Sequence, residues 1–316
     1  MNSKNPVPAF KIRISGKILD YRIGKKVDLK EVENFFSKNF QVQKIWSGGR
    51  HVLGYLEKGG KRLFLKLSTS EGIGAVTKNE YRWNELFNSY VKSSKFFVPK
   101  NFSCGFYQNL FYHICERFEG NLLVKEPKAH QPAGELLDNL ESVVEFPQLV
   151  QSLKLKAFNP FFDSFNFRDH FVNKSNGWLK AIPKDVAEKY NLENLQGIVN
   201  GGSKLLFAKT RHGDFTPWHI FQLKNGRLGL IDGEHAMANG VENYDICYFI
   251  QRIFSVLKEP SLAQKTLNLL LKRGYSPKKL KIVLCARAIG GFLDEYLAPN
   301  PDYSYADKFK KWVLSS

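Results

Sequence analysis

The segment RHGDFTPWHIFQLKNGRLGLIDGEHA, residues 211–236, restricts the possible folds of the chain more than any other. It contains two short apolar runs joined by the turn sequence KNGR, a pattern typical of paired strands. Asp214 precedes the first run, and Asp232 and Glu234 follow the second. Carboxylates at neighbouring strand ends do not contribute to a hydrophobic core, so packing alone does not explain them. The segment is consistent with phosphoryl transfer, with a metal hydrolase, or with no chemistry at all, and the rest of the chain has to decide.

Length and composition indicate a globular protein with a strongly basic surface. The chain has 316 residues, of which 43% are hydrophobic and 14% aromatic, enough for one large or two modest domains and too apolar for intrinsic disorder. Lys and Arg exceed Asp and Glu by 47 − 30 = 17. This charge favours anionic partners, such as nucleotides, phosphorylated metabolites, nucleic acid or an acidic membrane surface. Because Lys is spread along the chain, a solvated basic surface explains the charge equally well.

The cysteines and the N-terminal residues indicate the cellular compartment of the protein. The four cysteines show neither a CxxC pair nor the spacing of a metal site, so we expect reduced thiols. The first residues, MNSKNPVPAFKIRISGK, lack the apolar core of a signal peptide. No apolar run approaches the roughly 18 residues that a membrane span needs. We therefore expect a soluble, cytoplasmic protein without a transmembrane segment.

The first third of the chain is rich in predicted strands. Residues 10–27 predict a hairpin, and residues 41–68 predict three antiparallel strands separated by glycine pairs. Asp28 is a predicted helix N-cap with Glu31 three residues later, as in a capping box. Residues 75–93 have the apolar spacing of a helix, and residues 110–123 predict a strand that ends in a glycine turn.

Beyond residue 120 the pattern becomes helical. Helices are predicted over five segments, residues 133–156, 165–190, 241–258, 261–273 and 278–297. Strands are predicted only in the segment described first and in the KLLFAKTRHGD that leads into it. The change near Glu119–Gly120 predicts two domains, residues 1–119 and residues 120–316.

HGDFTPWHI followed by GLIDGEHA resembles the catalytic segment of the aminoglycoside phosphotransferase and choline kinase family, relatives of the protein kinases. That family carries H-G-D-x-x-x-x-N and then an apolar strand that ends in I-D-x-E or I-D-x-D. The resemblance implies an α+β, bilobal protein-kinase-like fold. Its N-terminal nucleotide-binding lobe is a small antiparallel sheet with a helix, and its C-terminal catalytic and substrate lobe is mostly helical. ATP is then the phosphoryl donor, bound between the lobes.

The resemblance also implies a role for each acidic residue of the segment. Phosphoryl transfer needs a carboxylate beside the attacking hydroxyl and cations beside the phosphates. Asp214 is the expected catalytic base, and Asp232 the expected ligand of Mg²⁺, which prefers oxygen ligands. Glu234 is expected at a second metal or orienting a water. His212 is expected to hold the catalytic loop rather than to react.

Further family positions follow in the expected order. Lys66, on a predicted strand, matches the phosphate-binding lysine, and Glu80 on the next helix matches its partner, with Glu85 as the weaker candidate. Asp245 matches the residue that braces the catalytic loop. The remaining expected nucleotide contacts come from the turn Ser47, Gly48 and Gly49, whose amides face phosphates, and from backbone groups near Glu116, Arg117 and Phe118, which bind adenine. The chain has no GxxxxGK[ST] loop, which argues against a P-loop ATPase.

His219 stands where the family has its metal-binding Asn. An imidazole nitrogen suits Mn²⁺, Fe²⁺ or Zn²⁺ better than Mg²⁺. The enzyme can therefore work with one ion on Asp232, prefer Mn²⁺ at a site that includes His219, or be a pseudokinase that retains nucleotide binding alone. Because Asp214, Asp232 and Lys66 are all present, we favour an active phosphotransferase.

Two other classes of function remain open. His212, Asp214 and His219 could form the metal triad of a hydrolase or oxygenase, although five residues is a short distance between Asp214 and His219, and the triad leaves Lys66 without a role. A kinase-like scaffold that binds RNA or an acidic membrane could use the aromatic residues of 158–171, but no RNA-binding motif is present.

The expected acceptor is a hydroxyl of a small molecule, such as a sugar or an amino alcohol. The net charge of +17 favours a neutral or anionic acceptor over a cationic one.

Overall fold

The computed structural model describes residues 10–14, 16–131, 133–163 and 165–315, with the backbone alone for Asn225. They form two compact units. The sheet unit comprises residues 10–120 and 223–236, and the helical unit comprises residues 121–222 and 237–315. The α+β class predicted from the sequence is confirmed.

The predicted domain ranges need one correction. They place residues 223–236 in the second domain, whereas these residues belong to the sheet unit. The reason is pairing: a short strand at Leu228–Leu230 lies parallel to the strand Phe96–Phe97. A turn at Gly233–His235 then packs on the long helix of the same unit.

The elements as far as residue 122 follow one another along the chain as β1 (Lys11–Ile14), β2 (Lys17–Asp20), α1 (Leu29–Ser37), β3 (Gln41–Gly48), β4 (His51–Lys58), β5 (Lys61–Ser68), α2 (Glu71–Tyr90), β6 (Phe96–Phe97), β7 (Asn101–Tyr107), β8 (Leu110–Glu116) and β9 (Gly120–Leu122). Strands β1 and β2 form the predicted hairpin, and β3, β4 and β5 are the three predicted antiparallel strands. The main sheet has the order β3-β4-β5-β8-β7.

Two-residue turns set the register of the main sheet. Gly59 and Gly60 both have positive φ, +57° and +72°, as a type I′ hairpin turn requires. In the turn between β3 and β4, Gly49 has φ +67° and is followed by Arg50. Gly48 therefore pairs with His51, and the turn directs Arg50 away from the ladder.

Helix α1 covers one side of this sheet. Asp28 is its N-cap, as predicted, and accepts hydrogen bonds from the amides of Lys30 and Glu31 at 2.8 and 3.2 Å. The Glu31 carboxylate accepts from the Tyr107 hydroxyl at 3.2 Å. Phe36 of α1 is buried in the core cluster of the sheet. Burial of one such side chain stabilises the fold by roughly 1.5–3 kcal/mol.

Helix α2 begins four residues before its predicted start. Ser70 caps it by accepting from the Ile73 amide at 3.4 Å. The first turn contains glycines, which obscure the helical pattern in the sequence, but close packing requires one of them. A Cβ at Gly72 would lie 2.4 Å from the Asp20 carbonyl oxygen.

The remaining elements are, in chain order, α3 (Gly134–Asp138), α4 (Leu140–Ser152), α5 (Phe167–Ala181), α6 (Lys184–Lys189), α7 (Leu192–Gly202), β10 (Ala208–Arg211), β11 (Ile220–Leu223), β12 (Leu228–Leu230), β13 (Met237–Val241), α8 (Tyr244–Gln251), α9 (Pro260–Lys272), α10 (Pro277–Leu297) and α11 (Ser304–Ser315). A π-helical turn, Arg252–Val256, continues α8. The predicted helix 165–190 is divided before Pro183, because proline lacks the amide that a continuous helix uses.

Within the helical unit, α10 is the central helix. It contacts α5, α7, α8 and α11, and most of its residues from Leu280 to Leu293 are buried. Strands β10 and β13 pair antiparallel beside these helices. No helix among the described residues is both long and apolar enough to cross a membrane.

Candidate active site

In the sheet unit, three carboxylates surround one ammonium group. The Lys66 Nζ lies 2.6 Å from Glu80 Oε2, 2.5 Å from Asp232 Oδ1 and 2.7 Å from Glu234 Oε1. Lys66 is on β5, Glu80 is on α2, and the other two residues belong to the turn after β12. The structure thus brings together four residues that the sequence predicts for nucleotide and metal binding.

The turn that carries Asp232 is held in place by α2. Asp232 adopts the left-handed conformation, with φ +67°, which Asp tolerates better than most residues, and its amide donates to Glu80 Oε1 at 3.2 Å. Asn79 Nδ2 donates to the Glu234 and Ala236 carbonyls at 3.1 and 2.9 Å. The turn position is therefore fixed by buried hydrogen bonds rather than by the strand alone.

Glu234 is a buried counter-charge. It is 0% exposed; Lys66 and His51 approach one carboxylate oxygen, and Arg50 binds the other. Burial alone would raise the pKa of Glu234, but Arg50, Lys66 and His51 hold that pKa well below its usual range. Oxygen atoms of Glu234, Glu80 and Asp232 lie within 4.8 Å of one another, and the metal role of Glu234 stays a prediction.

Arg50 and His51 were not identified from the sequence. They directly follow Gly48 and Gly49, in a turn interpreted only as a glycine loop. His51 Nε2 lies 3.1 Å from Glu234 Oε1 and 2.9 Å from the Thr77 hydroxyl. Two adjacent basic residues after a glycine turn were the available signal, and only the fold shows their partner.

When its three carboxylates are ionised, the cluster carries an excess of negative charge. Its carboxylates are those of Glu80, Asp232 and Glu234, and its cations are Lys66 and Arg50, a balance of 2 − 3 = −1. Burial raises the pKa of Glu80 to about 7, with the neighbouring carboxylates adding to this and Lys66 opposing it. A bound cation would relieve the excess. Asp232 has the most exposed side chain of the three carboxylates, at 21%, and is the best placed to receive it.

The predicted glycine turn reaches this cluster through its neighbour. Ser47 and Gly48 are the last residues of β3, and Gly49 occupies the turn itself. Arg50, the next residue, binds Glu234. The ion pair ties the turn to the carboxylates.

The segment predicted to bind adenine already uses two of its amides. The Glu116 amide donates to the Lys100 carbonyl at 2.8 Å, and the Arg117 amide donates to the Arg62 carbonyl at 3.1 Å. These two amides hold strand β8 in place, and an adenine contact through the other backbone groups near Glu116, Arg117 and Phe118 stays a prediction. The Phe118 ring packs on β12, where a Cβ at Gly229 would lie 2.5 Å from its Cε2 atom.

In the helical unit, Asp245 braces the loop that carries Asp214. Its two carboxylate oxygens accept from the amides of His212 and Gly213, both at 2.8 Å. Gly213 has φ +86°, a conformation that favours glycine. The His212 side chain is 0% exposed, and its role in holding the loop stays a prediction.

His219 contacts the residue predicted as the catalytic base. Its Nδ1 lies 3.0 Å from the Asp214 carbonyl oxygen and 3.7 Å from Asp214 Oδ2. A carbonyl oxygen only accepts, so neutral His219 carries its proton on Nδ1 and its lone pair on Nε2. This is the tautomer in which metal-binding histidines are commonly held by a carbonyl.

The bracing contact predicts a loss of stability in Asp245→Asn. An amide offers one acceptor oxygen and turns an NH2 group towards the second backbone N–H, so one buried donor loses its partner. We expect the free energy of unfolding to fall by about 1–3 kcal/mol, measured by chemical denaturation. An unchanged value would show that the two bonds do not support the loop.

Comparison with known proteins gives different results for sequence and for structure. No protein-family model matches the sequence, and no curated protein matches it significantly. The solved structure of the aminoglycoside phosphotransferase APH(4)-Ia is 17% identical, with a TM-score of 0.68, and the match covers 91% of this chain and 99% of that one. The chain has the aminoglycoside phosphotransferase fold.

A second solved structure supports the same fold. Choline kinase LicA from Streptococcus pneumoniae is 15% identical, with a TM-score of 0.56, and the match covers 90% of this chain and 97% of that one. A thermostable mutant of APH(4)-Ia, 16% identical and with a TM-score of 0.66, has been solved as a ternary complex with ADP and hygromycin B; 90% of this chain and 97% of that one are covered. The kinase-like fold predicted from the HGD and DGE segments is therefore confirmed.

Proposed function

We propose that this protein is an ATP-dependent phosphotransferase that moves the γ-phosphoryl group to a hydroxyl of a small molecule. The observation that carries the proposal is the buried cluster of Lys66, Glu80 and Asp232, formed in the fold that solved small-molecule kinases share. Phosphoryl transfer needs cations at the phosphates and a carboxylate at the attacking hydroxyl. The chain supplies both types of group.

Each residue has a defined task in this reaction. Lys66, oriented by Glu80, binds phosphate oxygens. Asp214 accepts the proton of the acceptor hydroxyl, whose oxygen forms the new bond to the γ-phosphorus as the bond to the β-phosphate oxygen breaks. Asp245 keeps the Asp214 loop rigid through the amides of His212 and Gly213.

The residues present fit a divalent cation. Asp232 supplies a partly exposed carboxylate in a cluster with an excess negative charge, and His219, at the family's Asn position, offers a nitrogen ligand through Nε2. Mg²⁺ or Mn²⁺ bound by Asp232 would neutralise charge that develops on the β- and γ-phosphates. When ATP binds, Lys66 exchanges its contact with Asp232 for a contact with a phosphate oxygen.

The first test is metal-dependent ATP binding, measured by calorimetry on wild type and on Asp232→Ala. We expect wild type to bind ATP with Mg²⁺ or Mn²⁺ and the variant to lose the dependence on metal. A matched control is Asp20→Ala, a change of an aspartate elsewhere in the sheet unit. Failure of wild type to bind ATP with either metal would overturn the proposal.

The metal preference is expected to change in His219→Asn. An amide oxygen suits Mg²⁺ better than an imidazole nitrogen does, so the ratio of transfer rates with Mn²⁺ and with Mg²⁺ should fall by about tenfold or more. ADP release, followed with each ion, measures this ratio. An unchanged ratio would exclude His219 from the metal site.

The alternative is a pseudokinase, and the same residue motivates it. It predicts ATP binding without transfer to any acceptor, and no gain of transfer in His219→Asn. Metal-dependent binding combined with slow ATP turnover that requires Asp214 would exclude this alternative.

A further inference from the structure

The helical unit contains a second charge cluster, composed of three cations. Arg211 ends β10, Lys174 lies on α5 and Arg287 lies on α10. The two arginines are only 3% and 4% exposed. Among the described residues, no carboxylate forms an ion pair with any of the three, whereas the neighbouring Arg252 is paired with Asp294 at 2.8 Å.

Aromatic rings surround these cations. Arg287 Nη1 donates to the Tyr244 hydroxyl at 3.1 Å, and its guanidinium lies 4.0 Å from the Tyr248 ring centre. The Arg211 guanidinium lies 4.0 Å from the Tyr244 ring centre. Cation–π contacts stabilise a charge, but by less than the burial of an unpaired ion costs.

Polar atoms of the cluster also lack hydrogen bonds. The Nε atoms of Arg211 and Arg287 are buried and have no partner among the described residues. The Nε2 atom of His170 on α5 is also buried and has no hydrogen-bond partner among the described residues. Buried donors without acceptors are rare in folded proteins, and the two arginine Nε–H groups of this cluster indicate the place of an absent acceptor.

The cluster includes a residue of the segment that carries Asp214: Arg211, at the end of β10, stands three residues before it in the chain. Burial lowers the pKa of Lys174 to about 8; Arg211 and Arg287 add to this effect, whereas Tyr244 and, to a smaller extent, Asp214 oppose it. A molecule with its negative group at the cations would have its remaining atoms near Asp214.

The backbone makes room for this arrangement. A Cβ at Gly240, on the neighbouring β13, would lie 2.5 Å from Arg211 Cδ. Neutral side chains in place of the cations would avoid the repulsion among them, so stability alone does not account for the cluster.

We propose that Arg211, Lys174 and Arg287 bind an anionic group, a phosphate or a carboxylate, of the acceptor whose hydroxyl is phosphorylated. The inference rests on the proposed function, because Asp214 defines where the hydroxyl lies. It separates this protein from a kinase of cationic acceptors: an ammonium group would be repelled by three cations. The acceptor class is therefore a hydroxylated small molecule that is already acidic.

The direct test uses inorganic phosphate as the probe and thermal unfolding as the readout. Wild type, Lys174→Met and Arg211→Gln are compared in phosphate and in chloride at equal ionic strength. The matched control is Lys180→Met, which replaces an exposed lysine on the same helix. Phosphate stabilises folded proteins in general, and the thermal shift of the control measures that general effect. We expect phosphate affinity to fall about tenfold or more in the first two variants and to stay unchanged in the control.

A second expectation concerns the proteins without phosphate. Lys174→Met should unfold at the same temperature as wild type or at a higher one, because the variant removes one of three repelling charges. Equal phosphate shifts in all four proteins would overturn the proposal. ATP binding in each variant confirms that it is folded.

A matched series of sugars distinguishes the two anionic groups. Glucose 6-phosphate, glucuronate, glucose and glucosamine share a ring and differ in charge. A larger thermal shift with glucose 6-phosphate assigns a phosphate, and a larger shift with glucuronate assigns a carboxylate. Thermal shifts with glucose or glucosamine as large as those with the two anionic sugars would contradict the inference.

These outcomes are independent of the test of ATP binding. If the protein binds ATP but its phosphate binding does not depend on Lys174, the phosphotransferase proposal stands and the proposal of an acidic acceptor fails. If phosphate binding depends on Lys174 but the protein does not bind ATP, the anion site stands and the phosphotransferase proposal fails.

Discussion

Replacing Asp214 by asparagine is expected to lower the rate of phosphoryl transfer by about 10²–10⁴-fold, the usual contribution of general acid–base catalysis. Asparagine keeps the size of the side chain but cannot accept the proton of the acceptor hydroxyl. The contact of His219 with the Asp214 backbone carbonyl does not depend on the side chain. ATP binding and the melting temperature should therefore remain close to those of wild type.

The measurement is the rate of ADP formation with and without acceptor, together with the affinity for ATP. Asp169→Asn changes an exposed aspartate in the first turn of α5 and serves as the control. A rate within about twofold of wild type in Asp214→Asn would remove Asp214 as the base. A joint loss of rate and ATP affinity would instead place Asp214 among the nucleotide or metal ligands.

The second large effect is expected on stability, in Glu234→Gln. Glutamine has nearly the same shape but cannot balance Arg50 and Lys66, which bind this carboxylate. Removal of one partner from a buried ionic cluster typically costs about 3–5 kcal/mol. For a protein of this size, the melting temperature should fall by roughly 10 °C.

Unfolding should be measured in the presence of a chelator, so that no metal contributes. Glu71→Gln is a suitable control, since the Glu71 side chain is 60% exposed and lies 3.9 Å from Lys17. If Glu234 were instead a metal ligand without a structural role, the variant would melt like wild type in chelator. It would differ only when Mg²⁺ is added.

The parts of the site that the sequence predicts are those that carry a motif. Asp214 and Asp232 belong to short segments whose spacing is characteristic, and Lys66 and Glu80 follow in the order that the family requires. The fold then places Lys66 Nζ 2.6 Å from Glu80. Motif order therefore predicted a contact between residues on different elements.

Contacts between side chains far apart in sequence could not be predicted in the same way. Arg50 and Glu234 are 184 positions apart, and although the motif marks Glu234, nothing in its segment indicates that Arg50 is its partner. The cationic cluster draws Lys174, Arg211 and Arg287 from two helices and a strand. No local pattern marks these residues as neighbours, because long polar side chains are usually solvated.

The secondary structure shows the same limit. Helices α7 and α11 were missed, since α7 includes three glycines and α11 is rich in lysine. Strand β13 was missed because MANGV has few β-branched residues. In each case, packing within the helical unit outweighs weak local preference.

The split composition of the sheet unit has a consequence for how the protein is made on the ribosome. Residues 10–120 emerge first, but residues 223–236, which complete the unit, emerge only after 102 intervening residues, 121–222. At about 5–20 residues per second, this delay is roughly 5–20 s. During it, Lys66 has Glu80 but neither Asp232 nor Glu234, and strand β6 lacks β12. A nascent chain released at residue 120 would be an incomplete unit and a natural substrate for chaperones and proteases.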